Sequence, residues 1–295
     1  MKFLRKCQLS VEAIRDGKTY NLVVPQEFTV DFEVTRANLS AAQTATFRVY
    51  NLAEKTRRLI YADPLDTALN PYRAIQFRAG YDEVMPMIFN GQMKSALSQR
   101  NGVDVITEIE AFDGAIAMAS GYSSLITASG EKASDTLAKL AKDLPLVSGT
   151  PIIGKFEKTN TRTRTIMGNT WNVIVQLAAD DKGLAIIDNG QVKILKPGEA
   201  IRGDIPVITS ESGLLTPPQR RGAFLEFDML FEPRMSVGQF VQLSSSFNRE
   251  YNGTYKVAGF KHAGTISPVK GGNCKTSVTL YLGVDIKDIL DAPLL

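Results

Sequence analysis

The chain has 295 residues, of which 44% are hydrophobic and 22% charged, a composition that allows a large core and two or three domains. Its formal net charge of +3 is too small to argue for nucleic-acid binding. The sequence has no apolar run of about 18 residues, and its basic opening has no sustained apolar stretch, so we expect no transmembrane helix, membrane anchor or signal peptide. Cys7 and Cys274 have no ligand residues near them in sequence, which argues against a zinc site. A disulfide between them is geometrically possible but has no support.

Residues 1–115 show the alternation of apolar and polar residues that is typical of half-buried strands. The pair Asp16-Gly17 favours a tight turn and predicts a hairpin. A short helix is expected at residues 53–61. The predicted strands cover residues 7–13, 18–24, 28–35, 45–52, 74–80, 87–98 and 102–111. We interpret residues 1–115 as a first small antiparallel β-barrel.

Residues 116–212 change to a mixture of helical and strand patterns. A first helix is expected to begin at Ser134-Asp135 and to end before Pro145. A second is expected to be capped by Asn169-Thr170, with Gly183 just beyond its end. A hairpin of residues 184–187 and 191–195 follows, turning at Asp188-Asn189-Gly190. The predicted buried stripes of the two helices are Leu137, Leu140, Ala141 and Leu144, and Trp171, Ile174, Val175 and Ala178. We interpret residues 116–212 as an α+β domain.

Residues 213–295 return to strand patterns after a connector, residues 213–222, which the paired prolines should stiffen. The predicted strands cover residues 223–231, 239–243, 254–262 and 276–282. The third is expected to start from a hairpin turn at Asn252-Gly253. We interpret residues 213–295 as a second small antiparallel β-barrel.

The two outer regions each contain a strand with one apolar and one acidic face. In residues 103–111 the apolar face is Val103, Val105, Ile109 and Ala111, and the acidic face is Asp104, Glu108 and Glu110. In residues 223–231 the acidic face contains Glu226 and Asp228. This likeness indicates divergent copies of one barrel. The predicted fold class is therefore α+β, mainly β, with two small antiparallel β-barrels of similar fold flanking an α+β domain.

The sequence offers little chemistry for catalysis. His262 is the single histidine, and we expect it to lie at a strand end and to hydrogen-bond a neighbouring loop, because no nucleophile elbow accompanies it. The acidic clusters, Asp180-Asp181 among them, are more typical of solvated surfaces than of a glycosidase pair. No metal-ligand spacing, Walker loop or dinucleotide fingerprint is present, and Trp171 is expected in the core. We therefore expect no catalytic, metal or cofactor-binding residues, and no enzyme.

Three motifs resemble one known family. Residues 233–243 read P-x-x-x-V-G-Q-x-V-x-L, residues 252–264 read N-G-x-Y-K-V-x-G-x-x-H-x-G, and residues 49–57 contain V-Y-N-L followed by T-R. In this order they resemble the last and first barrels of baseplate hub proteins from tailed bacteriophages, over most of the chain. The resemblance implies a structural protein of the virion, located in the tail baseplate and assembled in the host cytoplasm.

The same resemblance implies a homotrimer whose doubled barrels form a ring of six. Such a ring would join the sixfold tail tube protein to the threefold central spike protein, contact other baseplate proteins, and form part of the channel for DNA ejection. Genomic DNA would pass through the lumen without sequence recognition. We expect some of the acidic strand residues to face that lumen and repel phosphate: Asp104, Glu108, Glu110, Glu226 and Asp228.

Two alternatives remain open at this point. The chain could be another tail ring protein or the spike base of a contractile secretion system. It could also be a virion-associated hydrolase that cuts the cell wall, in which case changing one acidic pair would abolish peptidoglycan cleavage.

Overall fold

A computed structural model describes residues 4–15, 18–37, 41–63, 73–81, 84–201, 205–269 and 271–283. The fold is mainly β, with 52% strand and 14% helix, which confirms the predicted class. The predicted Asp16-Gly17 turn lies outside the described residues, although the two strands that it joins are present and paired.

The first region confirms the seven predicted strands and the short helix. Its last strand ends at Asp113, and Gly114 then leads into the middle region. The elements are β1 (Arg5–Arg15), β2 (Lys18–Val24), β3 (Val30–Ala37), β4 (Gln43–Tyr50), α1 (Glu54–Ile60), β5 (Arg73–Tyr81), β6 (Met87–Asn101) and β7 (Asp104–Asp113).

The middle region contains the two predicted helices and the predicted hairpin, together with one helix and three strands that the pattern did not indicate. The elements are α2 (Ala115–Ser120), β8 (Tyr122–Thr127), α3 (Ala133–Lys142), β9 (Ile152–Ile153), β10 (Arg164–Asn169), α4 (Thr170–Ala179), β11 (Leu184–Asp188) and β12 (Gln191–Leu195). The unpredicted pieces are short or polar, so they carry little periodic signal.

Six strands follow. They are β13 (Val207–Ile208), β14 (Gln219–Arg221), β15 (Phe224–Leu230), β16 (Phe240–Leu243), β17 (Gly253–Ile266) and β18 (Cys274–Tyr281). Of these, β13 lies at the end of the middle region, and the other five belong to the last region. The segment predicted as a plain connector contains β14, which pairs antiparallel with β15 and ends the sheet on that side.

One 13-stranded sheet joins the first and last regions. Its order is β14-β15-β18-β17-β3-β4-β7-β6-β5-β1-β2, with β13 and β16 attached beside β17. The two regions meet where β17 pairs antiparallel with β3, from Gly259 opposite Ala37 to Ile266 opposite Val30. This path is open from β14 to β2 among the described strands, so two separate closed barrels are not confirmed.

Strand alternation gives the sheet an apolar face and a polar face. Phe32, Phe47 and Phe77 lie on the apolar face, and the Phe77 ring packs against each of the other two with ring centroids about 5 Å apart. A core cluster formed mostly by the first region also takes in Phe231, Ile266 and Cys274 from the last region. A further cluster is formed by strands of the last region. The apolar packing therefore crosses the junction between the two regions.

The middle region has a core of its own around its two longer helices. Leu137, Leu140, Ala141 and Leu144 of the first predicted stripe are buried, and so are Trp171, Ile174 and Ala178 of the second. Val175 is only partly buried. The predicted cap is confirmed at Asn169, whose side-chain oxygen accepts a hydrogen bond from Asn172 N at 2.9 Å.

One helix start is confirmed to within one residue, and one predicted helix end is wrong. The first helix starts one residue early, with Lys132 at its cap position and no side-chain capping bond, so Ser134 is already helical. At the end of α4 it is Lys182, with φ of 59°, that takes the left-handed conformation, whereas Gly183 does not. Gly183 is needed for a different reason: a Cβ there would lie 2.4 Å from the Phe156 ring.

The predicted hairpin turn at Asn252-Gly253 is also wrong. The strands β16 and β17 pair from Phe240 opposite Lys256 to Leu243 opposite Gly253, so residues 244–252 form the connection. Asn252 is extended, with φ of −72°, and its side-chain oxygen accepts a hydrogen bond from Ser245 N at 2.6 Å. The asparagine closes a longer loop. By contrast, Asn189 and Gly190 both have positive φ, so the hairpin predicted there is confirmed.

Candidate functional site: a charged sheet face and a buried ion-pair cluster

The polar face of the large sheet carries all five acidic residues singled out from the sequence. Glu108 and Glu110 lie on β7, and Glu226 and Asp228 lie on β15, in alternation with buried residues of the same strands. Asp104 is the first residue of β7. The acids of both outer regions therefore lie on one surface, in two groups that are separated by β18, β17, β3 and β4.

Each of these acids has a partner on a neighbouring strand or loop. The contacts are Glu108 with Arg48 at 2.6 Å, Glu110 with Lys94 at 2.8 Å, Glu226 with Arg221 at 3.1 Å, Asp228 with Lys275 at 2.7 Å, and Asp104 with the Asn51 amide at 2.8 Å. A further pair, Lys261 with Glu33 at 2.6 Å, lies where the two outer regions meet. Cations therefore offset four of the five acids, and the strand-by-strand pattern could not reveal this pairing.

The partners of two of these acids favour their ionised form. A hydrogen bond from Lys94 lowers the pKa of Glu110. Burial opposes ionisation of Asp228, but hydrogen bonds from Lys275 and Ser277 outweigh it and lower the pKa of that carboxyl. Neither carboxyl is a proton donor at neutral pH, so neither fits the general acid that a glycosidase needs.

The predicted apolar face of β7 needs one correction. Val103 was assigned to the apolar face, but it lies in the turn before the strand and is 91% exposed. The buried residues of this strand are Ile106, Thr107, Ile109, Ala111 and Asp113. Val105 is only partly buried.

A buried ion-pair cluster lies on the other face of the sheet. Arg36 is 1% exposed, and its Nη1 donates to Asp113 Oδ2 at 2.7 Å and lies 3.4 Å from Asp188 Oδ1. Lys193 Nζ contacts the other oxygen of Asp188 at 2.6 Å and the Ser236 hydroxyl at 3.1 Å. Two cations and two carboxylates thus neutralise one another inside the protein.

This cluster connects all three regions of the chain. Arg36 and Asp113 belong to strands of the first region, Asp188 and Lys193 to the hairpin of the middle region, and Ser236 to the last region. The burial of Asp188 opposes its ionisation, but Arg36 and Lys193 hold its pKa below the usual range. The cluster positions the middle region against the sheet.

The hairpin turn adds neutral hydrogen bonds to the same junction. The Asn189 side-chain oxygen accepts from Arg36 Nη2 at 2.6 Å and from Asn90 N at 2.9 Å. Gly190 N donates to Asp113 Oδ1 at 3.1 Å. The left-handed turn at Asn189-Gly190 is what aims these groups at the sheet, so the turn has a positional role beyond closing the hairpin.

Sequence reasoning missed Arg36, Asp113 and Lys193. It assigned Asp188 to a hairpin turn and did not recognise it as part of a charged cluster. A signal was present for Arg36, because it continues the alternation of Val30, Phe32 and Val34 and therefore falls on the apolar face. A charged residue in that phase indicates a buried ion pair. Its partners come from distant segments, and no spacing in the sequence identifies them.

His262 does not lie at a strand end or bond a loop, as expected from the sequence. It lies within β17, is 1% exposed, and contacts the Thr276 hydroxyl of the neighbouring strand through Nδ1 at 2.9 Å. Burial, aided by the charge of Arg36, lowers its pKa to about 3. The imidazole is therefore neutral at physiological pH, and its packing between Phe231 and Phe260 gives it a role in the core.

The remaining candidate chemistry is equally limited. Cys7 and Cys274 are both buried free thiols, and burial raises the pKa of Cys7 to about 12. Within the described part of the chain, no group of three or more histidine, cysteine or acidic side chains could hold a metal ion. No described helix is long and apolar enough to cross a membrane.

The sequence matches the family Baseplate hub gp41 over residues 9–263, which is most of the chain. The chain belongs to this family. Its members are structural proteins of the phage tail and baseplate, so the resemblance inferred from the three motifs is confirmed. No curated protein sequence matches the chain significantly.

Solved structures of tail proteins share the fold. The chain is similar to the 43 kDa tail protein of prophage MuSo2 from Shewanella oneidensis, with 9% identity, a TM-score of 0.58, and coverage of 97% of this chain and 100% of that one. It is also similar to the tail protein from Neisseria meningitidis MC58, with 11% identity, a TM-score of 0.60, and coverage of 96% and 99%.

A third similar structure is the E. coli c3393 protein, a component of the type VI secretion system described as similar to the T4 tail proteins gp27 and gp5. It is 9% identical, with a TM-score of 0.56, and the match covers 86% of this chain and 73% of that one. At such identities the likeness shows the fold alone.

Proposed function

We propose that this baseplate hub protein assembles as a homotrimer that joins the sixfold tail tube to the threefold central spike. The family match over residues 9–263 carries the proposal, because it places the chain in the baseplate at the level of sequence. The trimer follows from symmetry: three chains with two similar halves each can present six equivalent surfaces to a tube and three to a spike.

The sheet topology supports two similar halves. One half is β6-β7-β4-β3 and the other is β14-β15-β18-β17, each antiparallel and each with an acidic strand next to basic side chains. We propose that each half forms one tube-like unit that its neighbours in the trimer complete. The three larger hydrophobic clusters support domains near residues 1–115, 116–212 and 213–295, although the first cluster takes in Phe231, Ile266 and Cys274 and the third takes in Ile186 and Ile208.

We further propose that the charged face lines the lumen through which DNA leaves the virion. A face of paired charges presents little net attraction to phosphate, so DNA would slide along it without sequence recognition. This differs from a purely repulsive acidic wall, because Arg48, Lys94, Arg221 and Lys275 accompany the acids. The middle region would then contact the spike or other baseplate proteins.

The mass of the purified full chain in solution tests the assembly. We expect light scattering to give three 32.3-kDa chains, and a larger complex when tube or spike protein is added. A monomer that captures neither partner at micromolar concentration would argue against the hub assignment.

A second candidate is the spike base of a contractile secretion system. It is favoured by the likeness to the type VI component and to a chain of a PdpA–VgrG complex, for which the TM-score is 0.54. Co-purification from the native host separates the two: tail-tube and spike subunits of a phage support the hub, whereas secretion-system sheath and effector subunits support the alternative. Clearing of peptidoglycan in a zymogram would instead support the cell-wall hydrolase.

A further inference from the structure

A groove of about 500 Å³ interrupts the charged face where β3, β17, β18 and β15 meet. Its floor is made of small residues, Ala37, Ala258 and Gly259 among them. A β-bulge between Val257 and Gly259 leaves Ala258 without a partner on β18. Small side chains at a bulge leave a trough on a face that is otherwise covered by long charged side chains.

The walls of the groove are apolar. Phe224 and Tyr281 stand on one side with ring centroids 6.0 Å apart, and Leu184 and Pro197 of the middle region stand on another. Phe224 is 38% exposed and Leu184 is 44% exposed. Exposed aromatic and aliphatic walls around a trough are typical of a surface that another segment covers.

Lysines give the groove a positive character. Lys256 lines it, is 5% exposed, and donates to the Lys196 carbonyl at 2.8 Å. Among the described residues no carboxylate lies within ion-pair distance of Lys256, and burial lowers its pKa to about 8. Lys261 lines the same groove and has Glu33 as its partner. The charge of Glu199 partly opposes that lowering, and a carboxylate entering the groove would add a counter-charge in direct contact with the buried Lys256 ammonium.

The chain itself leaves the sheet at the mouth of this groove. Leu282 N still donates to the Ala223 carbonyl at 3.0 Å, one residue beyond Tyr281 of the groove wall. Residues 284–295 follow, outside the described residues, and an extended chain of twelve residues reaches up to roughly 40 Å. The groove is therefore within easy reach of the segment that follows Gly283.

The composition of residues 284–295 matches the groove. The segment contains three aspartates and one lysine, and its aliphatic residues alternate with or flank the acids in VDIKDILDAPLL. The aliphatic side chains suit the apolar walls, and an aspartate suits Lys256. The apolar residues are Val284, Ile286, Ile289, Leu290, Leu294 and Leu295, and the acids are Asp285, Asp288 and Asp291.

We infer that residues 284–295 bind in the groove of their own chain, with aliphatic side chains against Phe224, Tyr281 and Leu184 and an aspartate at Lys256. The inference rests on the chain path, the apolar walls and the charge complementarity, and it does not depend on the trimer. The segment then covers an apolar stretch of the charged face.

Photo-cross-linking of the full chain tests this. A benzoylphenylalanine at position 289 should cross-link to peptides of β17 or β18, or to Phe224, within the same chain. A mixture of ¹⁴N- and ¹⁵N-labelled protein identifies cross-links within one chain by their unmixed isotope pattern. The substitution Ala258→Trp fills the groove and should lower the yield about tenfold. Thr46→Trp, on the same sheet face two strands away, is the matched control and should leave the yield unchanged.

A second variant keeps the test independent of groove packing. Lys256→Gln removes the charge and should also lower the yield, with the circular dichroism spectrum unchanged. Cross-links that join two chains would assign the groove to a second copy and overturn the inference. Cross-links elsewhere on the chain, or a yield that neither Ala258→Trp nor Lys256→Gln lowers, would overturn it as well and leave the groove to a partner protein.

Discussion

Arg36 is a charged residue at a position that strand alternation reserves for an apolar side chain. It is tolerated because Asp113 and Asp188 neutralise it and because its Nη2 also reaches the Ile88 carbonyl at 3.1 Å. Its guanidinium lies 5.0 Å from the Phe89 ring centroid, so the surrounding core packs against it. The buried cluster therefore contributes to the fixed placement of the three regions more than to net stability.

Removing the cation from this cluster should be costly. We expect Arg36→Met to lower the free energy of unfolding by about 3–5 kcal/mol, because Asp113 stays buried without its ion-pair partner and Asp188 keeps only Lys193. Arg48→Met is the matched control: it breaks an exposed pair on the same sheet and should cost less than about 1 kcal/mol. Urea denaturation measures both. Equal losses in the two variants would contradict the role assigned to the cluster.

The burial of His262 makes stability depend on pH. Its pKa is lowered in the folded protein to about 3, whereas the unfolded chain titrates near 6.5, so only the unfolded state binds the proton between these values. The stabilising effect is complete above pH 6.5 and is lost as the pH falls toward 3. Between pH 7 and pH 5 the loss amounts to about 2 kcal/mol.

The variant His262→Gln isolates this effect. It cannot titrate, so the decrease in urea midpoint from pH 7 to pH 5 should be smaller in the variant than in the parent protein. Carboxylates contribute to acid sensitivity in both proteins and cancel in the comparison. An identical decrease in the two would show that His262 is accessible to protons in the folded state.

At the scale of single elements, the sequence predicted what periodicity encodes and missed what tertiary contacts decide. The long alternating strands and the two striped helices are present close to their predicted bounds. The turn at Asn189-Gly190 formed as predicted, but the same kind of signal failed at Asn252-Gly253, where the Asn252 side chain closes a longer loop. The pairing of β17 with β3, which makes one open sheet, has no local signal.

The same limit applies to the candidate site. The acids of the polar face were found because they alternate with buried residues on single strands. Their cations lie on neighbouring strands, and the register that brings them together is a property of the whole sheet. Sequence alone therefore gave the acidic residues but not the balance of charge.

Gly114 connects the first region to α2 and should tolerate substitution poorly. Its φ is +80°, and a Cβ there would lie 2.8 Å from Ile187 Cβ. Gly102 has a similar φ of +62° with open space around it, so Gly102→Ala isolates the backbone cost of about 1–2 kcal/mol. Gly114→Ala should cost about 1–3 kcal/mol more, because the core must also shift. Thermal and urea unfolding of both variants decide this, and equal losses would mean that the contact with Ile187 relaxes freely.

For the whole molecule, the open sheet and its balanced face are the features that a channel protein would use. Neutralising acids on that face should convert it into a DNA-binding surface. In Glu108→Gln/Glu110→Gln, Arg48 and Lys94 lose their partners, so we expect double-stranded DNA to bind with an affinity that falls as salt rises. Fluorescence anisotropy with the full chain measures this.

The control variant changes the net charge by the same amount, at two positions away from the charged face. Glu27→Gln/Glu54→Gln removes two exposed acids that lie off the charged face, in a turn and in α1. It should bind DNA no better than the parent protein. If both double variants bind DNA equally, net charge explains the binding and the face has no special role.

The most direct measurement is a cryo-electron microscopy structure of the assembled full-length protein. We expect a ring of three chains around a central pore, with the face that carries Glu108, Glu110, Glu226 and Asp228 lining it. A different number of chains, or a ring in which this face points outward, would contradict the account.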